Sequence, residues 1–93
     1  MKVVFGKLFS KDIEKIKDVT LKQELIKTIL QLQSTQNLLN ISNIVKMKGH
    51  PEAYRMRFGK YRIEFYYDGE TIELIRFAKR SDILNFFLNF PQE

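Results

Sequence analysis

Residues 54–78 read YRMRFGKYRIEFYYDGETIELIRFA, and this stretch carries the strongest structural pattern in the chain. Apolar and polar side chains alternate through it, which predicts three consecutive antiparallel β-strands. Gly59-Lys60 forms a two-residue turn between the first two strands, and Asp68-Gly69 has the pattern of a type I′ hairpin before the third. We expect one sheet face to form the core, with inward positions at Tyr54, Met56, Phe58, Tyr61, Ile63, Phe65, Tyr67, Ile72 and Leu74.

The first half of the chain has helical periodicity. Ser10 is the expected N-cap of a short helix that begins at Lys11. A second helix is predicted over about residues 20–34, because Thr20-Leu21-Lys22-Gln23 fits a capping box. Its inward stripe follows helical spacing, with Leu21, Leu25, Ile26, Ile29, Leu30 and Leu32 as members.

Short strands and a terminal helix complete the predicted architecture. Val3-Val4-Phe5 forms a first strand, residues 44–48 form a strand before the alternating stretch, and a helix follows over residues 83–90. The sequence therefore predicts one small α+β domain over residues 1–93. In it, an N-terminal strand and a helical hairpin pack on an antiparallel sheet, and a short C-terminal helix follows.

Composition excludes several functional classes. The 93 residues contain no cysteine and one histidine, so neither a disulfide framework nor a thiolate or histidine metal site is expected. No apolar run approaches the ~18–20 residues that a membrane helix needs. The N-terminal apolar stretch is too short for a signal peptide. We therefore expect a soluble, cytoplasmic domain without a metal or other cofactor.

Positive charge is concentrated in one part of the chain. The formal net charge is +5, and all five arginines lie between residues 55 and 80. Residues 1–43, by contrast, contain lysine as their only basic residue. Because the planar guanidinium group binds phosphate through two parallel hydrogen bonds, this clustering favours a polyanionic partner.

The two-residue turn also predicts a like-charge pair. Its register places Arg57 opposite Arg62 and Arg55 opposite Glu64, all on the face away from the core. Like charges at opposed positions destabilise a sheet, and a bound anion would reverse that effect. The pattern alone leaves two interpretations open: a phosphate-binding face, or a solvated pair beside an Arg55–Glu64 salt bridge.

Three further basic residues are expected near this face. Lys46 and Lys48 share one parity of the preceding strand, which would place both on the surface of Arg57 and Arg62. Arg80 follows the last strand and is expected at the rim of the same surface.

Aromatic residues and the single histidine carry weaker hypotheses. Tyr66 has the parity of Arg62 and is a candidate for stacking on a base, but a half-buried sheet position explains it equally well. His50 lies in a turn before Pro51 and is assigned a structural role. The apolar terminal helix is compatible with a partner surface or with packing in a groove of its own domain.

Residues 47–63, MKGHPEAYRMRFGKYRI, resemble a segment of the RelE/ParE superfamily of toxins from bacterial toxin–antitoxin modules. The shared pattern is a Lys-Gly pair, a short loop, alternating tyrosine and basic residues, a glycine turn and a Tyr-Arg-aliphatic run. Residues 75–83 resemble the last strand of these toxins and the segment after it. The predicted order of elements agrees over nearly the whole chain, so the resemblance implies a RelE-like fold.

The resemblance also implies an activity. RelE-type toxins are ribosome-dependent endoribonucleases that cut mRNA without a metal. In them the ribose 2′-hydroxyl attacks the adjacent phosphate and leaves a cyclic phosphate. Cleavage of the mRNA stops translation. The basic catalytic residues of the superfamily fall on Arg55, Arg57, Arg62 and Arg80 of this chain. RNA contacts are expected from Lys46, Lys48, Tyr66, Lys79, Phe86 and Phe87.

One departure from the superfamily pattern bears on the rate. Leu84 stands where many active members carry a tyrosine, and leucine cannot transfer a proton. Loss of an acid–base group lowers a rate by typically ~10²–10⁴-fold. Two alternatives therefore stay open beside the ribonuclease: a ParE-like inhibitor of DNA gyrase, and a catalytically impaired RelE-like binding protein.

The expected partners follow from the same resemblance. They are a cognate antitoxin protein, the ribosome with its mRNA, and operator DNA that is reached only through the antitoxin. Neither a membrane nor a cofactor is implied.

Overall fold

Two helices pack against one sheet in the structure of the chain, a computed structural model that describes residues 1–79. The strands are β1 (Lys2–Phe5), β2 (Ile44–Lys46), β3 (Ala53–Phe58), β4 (Tyr61–Tyr67) and β5 (Thr71–Lys79). The helices are α1 (Lys7–Glu14) and α2 (Val19–Ser34), and a 3-10 turn over Leu38–Asn40 leads toward β2. Across the sheet the described strands are ordered β1-β5-β4-β3-β2.

The sheet is mixed, which corrects the prediction of an antiparallel sheet. β2 to β5 are antiparallel neighbours, but β1 runs parallel to β5 with Val3 beside Ile72. No tight turn follows β1, because the chain passes through both helices before it returns to the sheet. Hairpin geometry therefore does not set the direction of β1. The α+β class that the sequence predicts is confirmed.

The predicted register of β3 and β4 is confirmed. Gly59 and Lys60 connect the two strands, and Gly59 adopts a φ of 59°, a left-handed conformation that glycine takes without steric strain. Such a short connection fixes the pairing of every residue behind it. The pairs expected from the sequence are all present: Phe58–Tyr61, Arg57–Arg62 and Arg55–Glu64.

The connection between β4 and β5 is not the predicted type I′ turn. That turn needs a positive φ at both central residues. Within residues 1–79 only glycines have one, and in this connection it is Gly69 at 101°. The Asp68 carboxylate instead accepts hydrogen bonds from the N–H groups of Glu70 and Thr71, at 2.9 and 2.8 Å. Asp68 thus closes the connection with its side chain.

Helix α1 begins earlier than predicted, at Lys7 rather than Lys11, so Ser10 lies inside the helix. The reason is the strand-to-helix junction at Gly6, whose N–H donates to the Leu74 carbonyl of β5 at 2.8 Å. A Cβ at position 6 would lie 2.6 Å from that oxygen, so the close approach requires glycine. Helix α1 begins at the next residue, Lys7, directly after this contact of Gly6 with β5.

Helix α2 is confirmed, but its cap and the width of its buried stripe differ from the prediction. The Asp18 carboxylate accepts the Leu21 N–H at 3.2 Å, and Thr20 lies inside the helix, so the predicted capping box does not form. Ile26 and Leu30 are 52% and 57% exposed and do not broaden the stripe. Its fully inward residues are Leu25, Ile29 and Leu32.

The hydrophobic core lies between the two helices and one face of the sheet. Its buried members are Phe9, Leu25, Ile29, Leu32, Leu38, Ile41, Met56, Ile63, Phe65, Ile72, Leu74 and Phe77. The inward tyrosines predicted from the sequence pack at its margin, namely Tyr54, Tyr61 and Tyr67. The alternation along the strands is therefore a correct guide to the buried face.

The edge of β5 is covered by α1 where β1 ends. The Asp12 carboxylate of α1 accepts the Phe77 N–H at 2.9 Å. The same carboxylate binds Arg76 through two hydrogen bonds, from Nε at 2.9 Å and from Nη2 at 3.0 Å. Both side chains are largely buried. Asp12 therefore satisfies a sheet-edge donor and neutralises a strand arginine at the same point.

Some predictions fall on residues that the structure does not describe. They are the terminal helix over residues 83–90 and the roles of Arg80, Leu84, Phe86 and Phe87. Neither α1 nor α2 is long and apolar enough to cross a membrane.

Candidate functional site

The sheet face that points away from the helices carries charged and aromatic side chains. The core occupies the face of Met56 and Ile63, and side chains alternate between the two faces along each strand. The intervening positions of β3 and β4 therefore lie on the other side. We call this surface the arginine face; its members are Arg55, Arg57, Arg62, Glu64 and Tyr66.

Arg57 and Arg62 occupy opposed positions that bring their side chains close together. The backbone of Arg57 is directed toward Asn43: its N–H donates to the Asn43 carbonyl at 3.0 Å, and its carbonyl accepts from Asn43 Nδ2 at 2.7 Å. Arg57 and Arg62 are therefore a non-hydrogen-bonded pair of β3 and β4. In such pairs the facing Cα atoms approach to roughly 4.5 Å, so the two arginine side chains leave the sheet from adjacent positions on one face.

The two guanidinium groups of this pair differ in how they are held. Arg62 Nη1 donates to the carbonyls of Gly59 and Tyr61, at 3.2 and 2.8 Å, which holds the group against the β3–β4 turn. Arg57 is exposed. An anion between them would contact the Arg62 guanidinium, which the turn holds in place, and the Arg57 guanidinium, which is exposed to solvent and can adjust its position.

Glu64 is the buried acid of the arginine face. Its side chain is on the face of the two arginines, yet the residue is only 8% exposed. Its Oε1 has no hydrogen-bond partner within residues 1–79. Burial raises the pKa of the Glu64 carboxyl to about 7, against the opposing effect of the positive charges of Arg55 and Arg62. The turn register predicted the position of Glu64 on this face opposite Arg55, but the sequence pattern did not predict its burial.

This raised pKa predicts that the stability of the fold depends on pH. The folded state binds the Glu64 proton more tightly than the unfolded state, so its stabilisation is complete below about pH 4.5 and is lost as the pH rises through about 7. Glu64→Gln removes the buried charge. We expect this variant to be more stable than the wild type at pH 8, by up to about 3 kcal/mol, and the difference to shrink at pH 5.

Urea unfolding of both proteins at pH 5 and pH 8 measures the effect. Glu73→Gln is the matched control, because Glu73 is an exposed glutamate of the neighbouring strand β5. It should leave the pH dependence unchanged. Equal pH dependence in the wild type and Glu64→Gln would contradict the prediction.

Tyr66 lies at one end of the arginine face and is stacked on His50, with ring centroids 4.8 Å apart and planes at 21°. His50 Nδ1 accepts the Glu52 N–H at 3.1 Å, so the proton of the neutral imidazole is on Nε2. His50 thus covers one face of the Tyr66 ring. The loop before β3 contributes a residue to this surface that the strand pattern does not reveal.

The structure does not bring all predicted RNA contacts together. The expectation that Lys46 extends the arginine face is wrong, because Lys46 pairs with Tyr54 and lies on the helix side of the sheet. Lys79 pairs with Tyr61 and lies on that side as well. Lys48 is exposed in the turn after β2. The other predicted site residues, Arg80, Phe86 and Phe87, lie outside the described part of the chain.

The sequence and the fold agree with a known family of toxins. The family model "ParE toxin of type II toxin-antitoxin system, parDE" matches residues 3–84 of the chain. The chain therefore belongs to the RelE/ParE superfamily of type II toxin–antitoxin toxins, as the resemblance in residues 47–63 predicted.

Individual relatives are RelE-like. Toxin RelE3 of Methanocaldococcus jannaschii is 37% identical over 89 residues, which cover 94% of this chain and 99% of that toxin. The crystal structure of the RelB–RelE antitoxin–toxin complex from Methanococcus jannaschii contains a similar chain, with a TM-score of 0.77 and 30% identity over 90% of this chain and 98% of that one. YafQ from E. coli shares the fold at a TM-score of 0.62 and 12% identity, over 88% and 96% of the two chains.

Proposed function

We propose that this toxin is an endoribonuclease that cleaves mRNA on the ribosome and thereby stops translation in the cytoplasm. The observation that carries the proposal is the close pair of Arg57 and Arg62 beside the buried Glu64 on one face of the sheet. Similarity to Toxin RelE3 supports it from the sequence. The reaction is attack of a ribose 2′-oxygen on the adjacent phosphorus, with the 5′-oxygen as the leaving group.

The arginine pair suits this reaction electrostatically. The phosphorane-like transition state carries more negative charge on its oxygens than the phosphodiester does. The Arg62 guanidinium is already positioned by the β3–β4 turn and meets that charge with little reorganisation, while Arg57 adds a second positive charge from the opposed position. The same pairing that destabilises the free sheet becomes favourable when phosphate lies between the arginines.

A cognate antitoxin is the proposed protein partner. A chain similar to this one was crystallised in the RelB–RelE antitoxin–toxin complex. Acidic side chains of such a partner would pair with Arg57 and Arg62 and block the approach of RNA. Binding to operator DNA is then proposed to occur through the antitoxin.

Inhibition of DNA gyrase is the second candidate, because the family model that matches the chain is that of the ParE toxin. The arginine face argues for RNA, since a guanidinium pair beside a buried carboxyl has an evident use in phosphodiester cleavage. The two functions predict different products and are separated by one pair of assays.

The direct test is cell-free. Purified toxin is added to ribosomes programmed with a defined mRNA, and the 5′ ends are mapped by primer extension. New ends within codons that depend on ribosomes are the expected result. Intact mRNA at a toxin concentration equal to that of the ribosomes would overturn the proposal, and a gyrase supercoiling assay would then separate gyrase inhibition from a catalytically impaired binding protein.

A further inference from the structure

We infer that Glu64 is the general base of the cleavage reaction, accepting the proton of the attacking 2′-hydroxyl. The inference rests on the proposed ribonuclease function. It starts from a chemical gap: the arginines of this face stay protonated under all conditions of interest and cannot accept a proton. Within the described residues two carboxyls lie on this side of the sheet. Glu73 is exposed and faces Tyr66, whereas Glu64 faces Arg55 and is the carboxyl next to the arginine pair.

The position of Glu64 fits this role. Arg62 and Glu64 are two residues apart on β4, about 7 Å along the strand, and both project from the same face. Their opposed residues on β3 are Arg57 and Arg55. A phosphate between Arg57 and Arg62 therefore has the carboxyl of the next rung beside it, on the surface along which the adjacent ribose would lie.

The hydrogen bonding of the carboxyl leaves a place for a donor. Glu64 Oε1 is buried without a partner in residues 1–79, a situation that destabilises a fold and that native proteins rarely tolerate without a use. A hydroxyl group is the missing kind of partner, since it donates one hydrogen bond to an acceptor. Because Oε1 is buried, a ribose 2′-hydroxyl reaches it only when the side chains that cover it move aside. The hydroxyl would then supply that donor and would be aligned for transfer of its proton.

The charged groups around Glu64 keep its carboxyl near the balance between its two protonation states. Arg55 faces it from β3, Arg62 precedes it on β4, and Arg76 faces it from β5. Arg76 is already bound through two hydrogen bonds to Asp12 of α1. Burial outweighs these charges and sets the pKa at about 7, so a large fraction of the carboxyl is deprotonated at neutral pH and able to act as a base.

The chemical step balances without a further reactant. The 2′-oxygen forms a bond to phosphorus as its proton moves to a Glu64 carboxylate oxygen. The bond from phosphorus to the 5′-oxygen breaks, and the 5′-oxygen takes a proton from water. The hydroxide that this leaves takes the proton from Glu64, which restores both the water and the carboxylate. The products are a 2′,3′-cyclic phosphate and a 5′-hydroxyl, and nothing is oxidised or reduced.

The test compares cleavage rates of the wild type, Glu64→Gln and the control Glu14→Gln on programmed ribosomes between pH 5.5 and 8.5, with toxin in excess. Glu14 is an exposed glutamate of α1, on the opposite side of the sheet from the arginine face. We expect Glu64→Gln to be slower at pH 8 by roughly 10²–10⁴-fold. The ribosome is present in both reactions. Dividing the wild-type rate by the Glu64→Gln rate therefore cancels the pH dependence of the ribosome. That ratio should rise about tenfold per pH unit up to about pH 7 and then level off.

Each other outcome overturns the inference. If Glu64→Gln cleaves within about threefold of the wild type, or if its rate is lower by a ratio that does not change with pH, then Glu64 does not transfer the proton. Glu64→Asp covers the case in which the glutamine variant does not fold, since it keeps the carboxyl and should keep the rise in rate with pH at a lower level. An inactive wild type would overturn the proposed function itself, which distinguishes the two failures.

Discussion

Arg62→Ala is expected to lower ribosome-dependent cleavage by roughly 10²–10³-fold, the typical effect of removing one donor to a developing oxyanion. The Arg62 guanidinium is positioned by the carbonyls of Gly59 and Tyr61 and stands opposite Arg57. Its loss removes half of the pair that would hold the phosphate. Arg62→Lys keeps the charge but loses the planar fork, and should give an intermediate rate.

The rates are measured by primer extension on programmed ribosomes. Lys27→Ala is the matched control, because it removes one positive charge from an exposed position of α2, away from the arginine face. It should cleave like the wild type. Circular dichroism must show the native fold in every variant. A folded Arg62→Ala protein that cleaves mRNA at the rate of the wild type would contradict the assignment of the site.

Asp12→Ala is expected to be the most destabilising single substitution of a charged residue in the described part of the chain. It leaves the largely buried Arg76 guanidinium without its carboxylate and the Phe77 N–H without its acceptor. Breaking a buried pair in this way typically costs about 3–5 kcal/mol. Urea unfolding gives the change in the free energy of unfolding.

Two variants make the Asp12 result specific. Asp18→Ala removes a helix N-cap and should cost about 1 kcal/mol, the ordinary effect of losing a carboxylate on an exposed helix end. Asp12→Ala combined with Arg76→Met should recover part of the loss, because it also removes the largely buried arginine that Asp12 neutralises. If the free energy of unfolding of Asp12→Ala lies within about 1 kcal/mol of the wild-type value, the edge contact of α1 and β5 is not a major source of stability.

The sequence predicts those parts of the fold that local geometry determines. The two-residue Gly59-Lys60 turn fixed the register of β3 and β4, and with it the Arg57–Arg62 pair. The side of Lys46 was not predictable in the same way, because residues 47–52 separate β2 from β3. Without a tight turn the register is not set, and a shift of one residue moves a side chain to the other face.

Local sequence patterns did not predict features that depend on residues far apart in the chain. The start of α1 follows from the contact of Gly6 with the Leu74 carbonyl, which is far away in the sequence. The burial of Glu64 depends on the packing of the neighbouring strands and not on its immediate sequence, so its raised pKa had no local signature. The burial and the raised pKa of Glu64 were therefore found from the structure, whereas its position beside the arginines was predicted from the sequence.

The parallel pairing of β1 with β5 has a consequence for how the domain is made. Lys2 pairs with Thr71, so the contact closes a loop of nearly the whole described chain. Closing such a loop costs about 3 kcal/mol more in chain entropy than closing a two-residue turn. The hairpins of β3, β4 and β5 can form as soon as they are synthesised, but among the described strands β1 pairs only with β5. β1 precedes the other described strands in the chain and yet joins the sheet only once β5 has been synthesised.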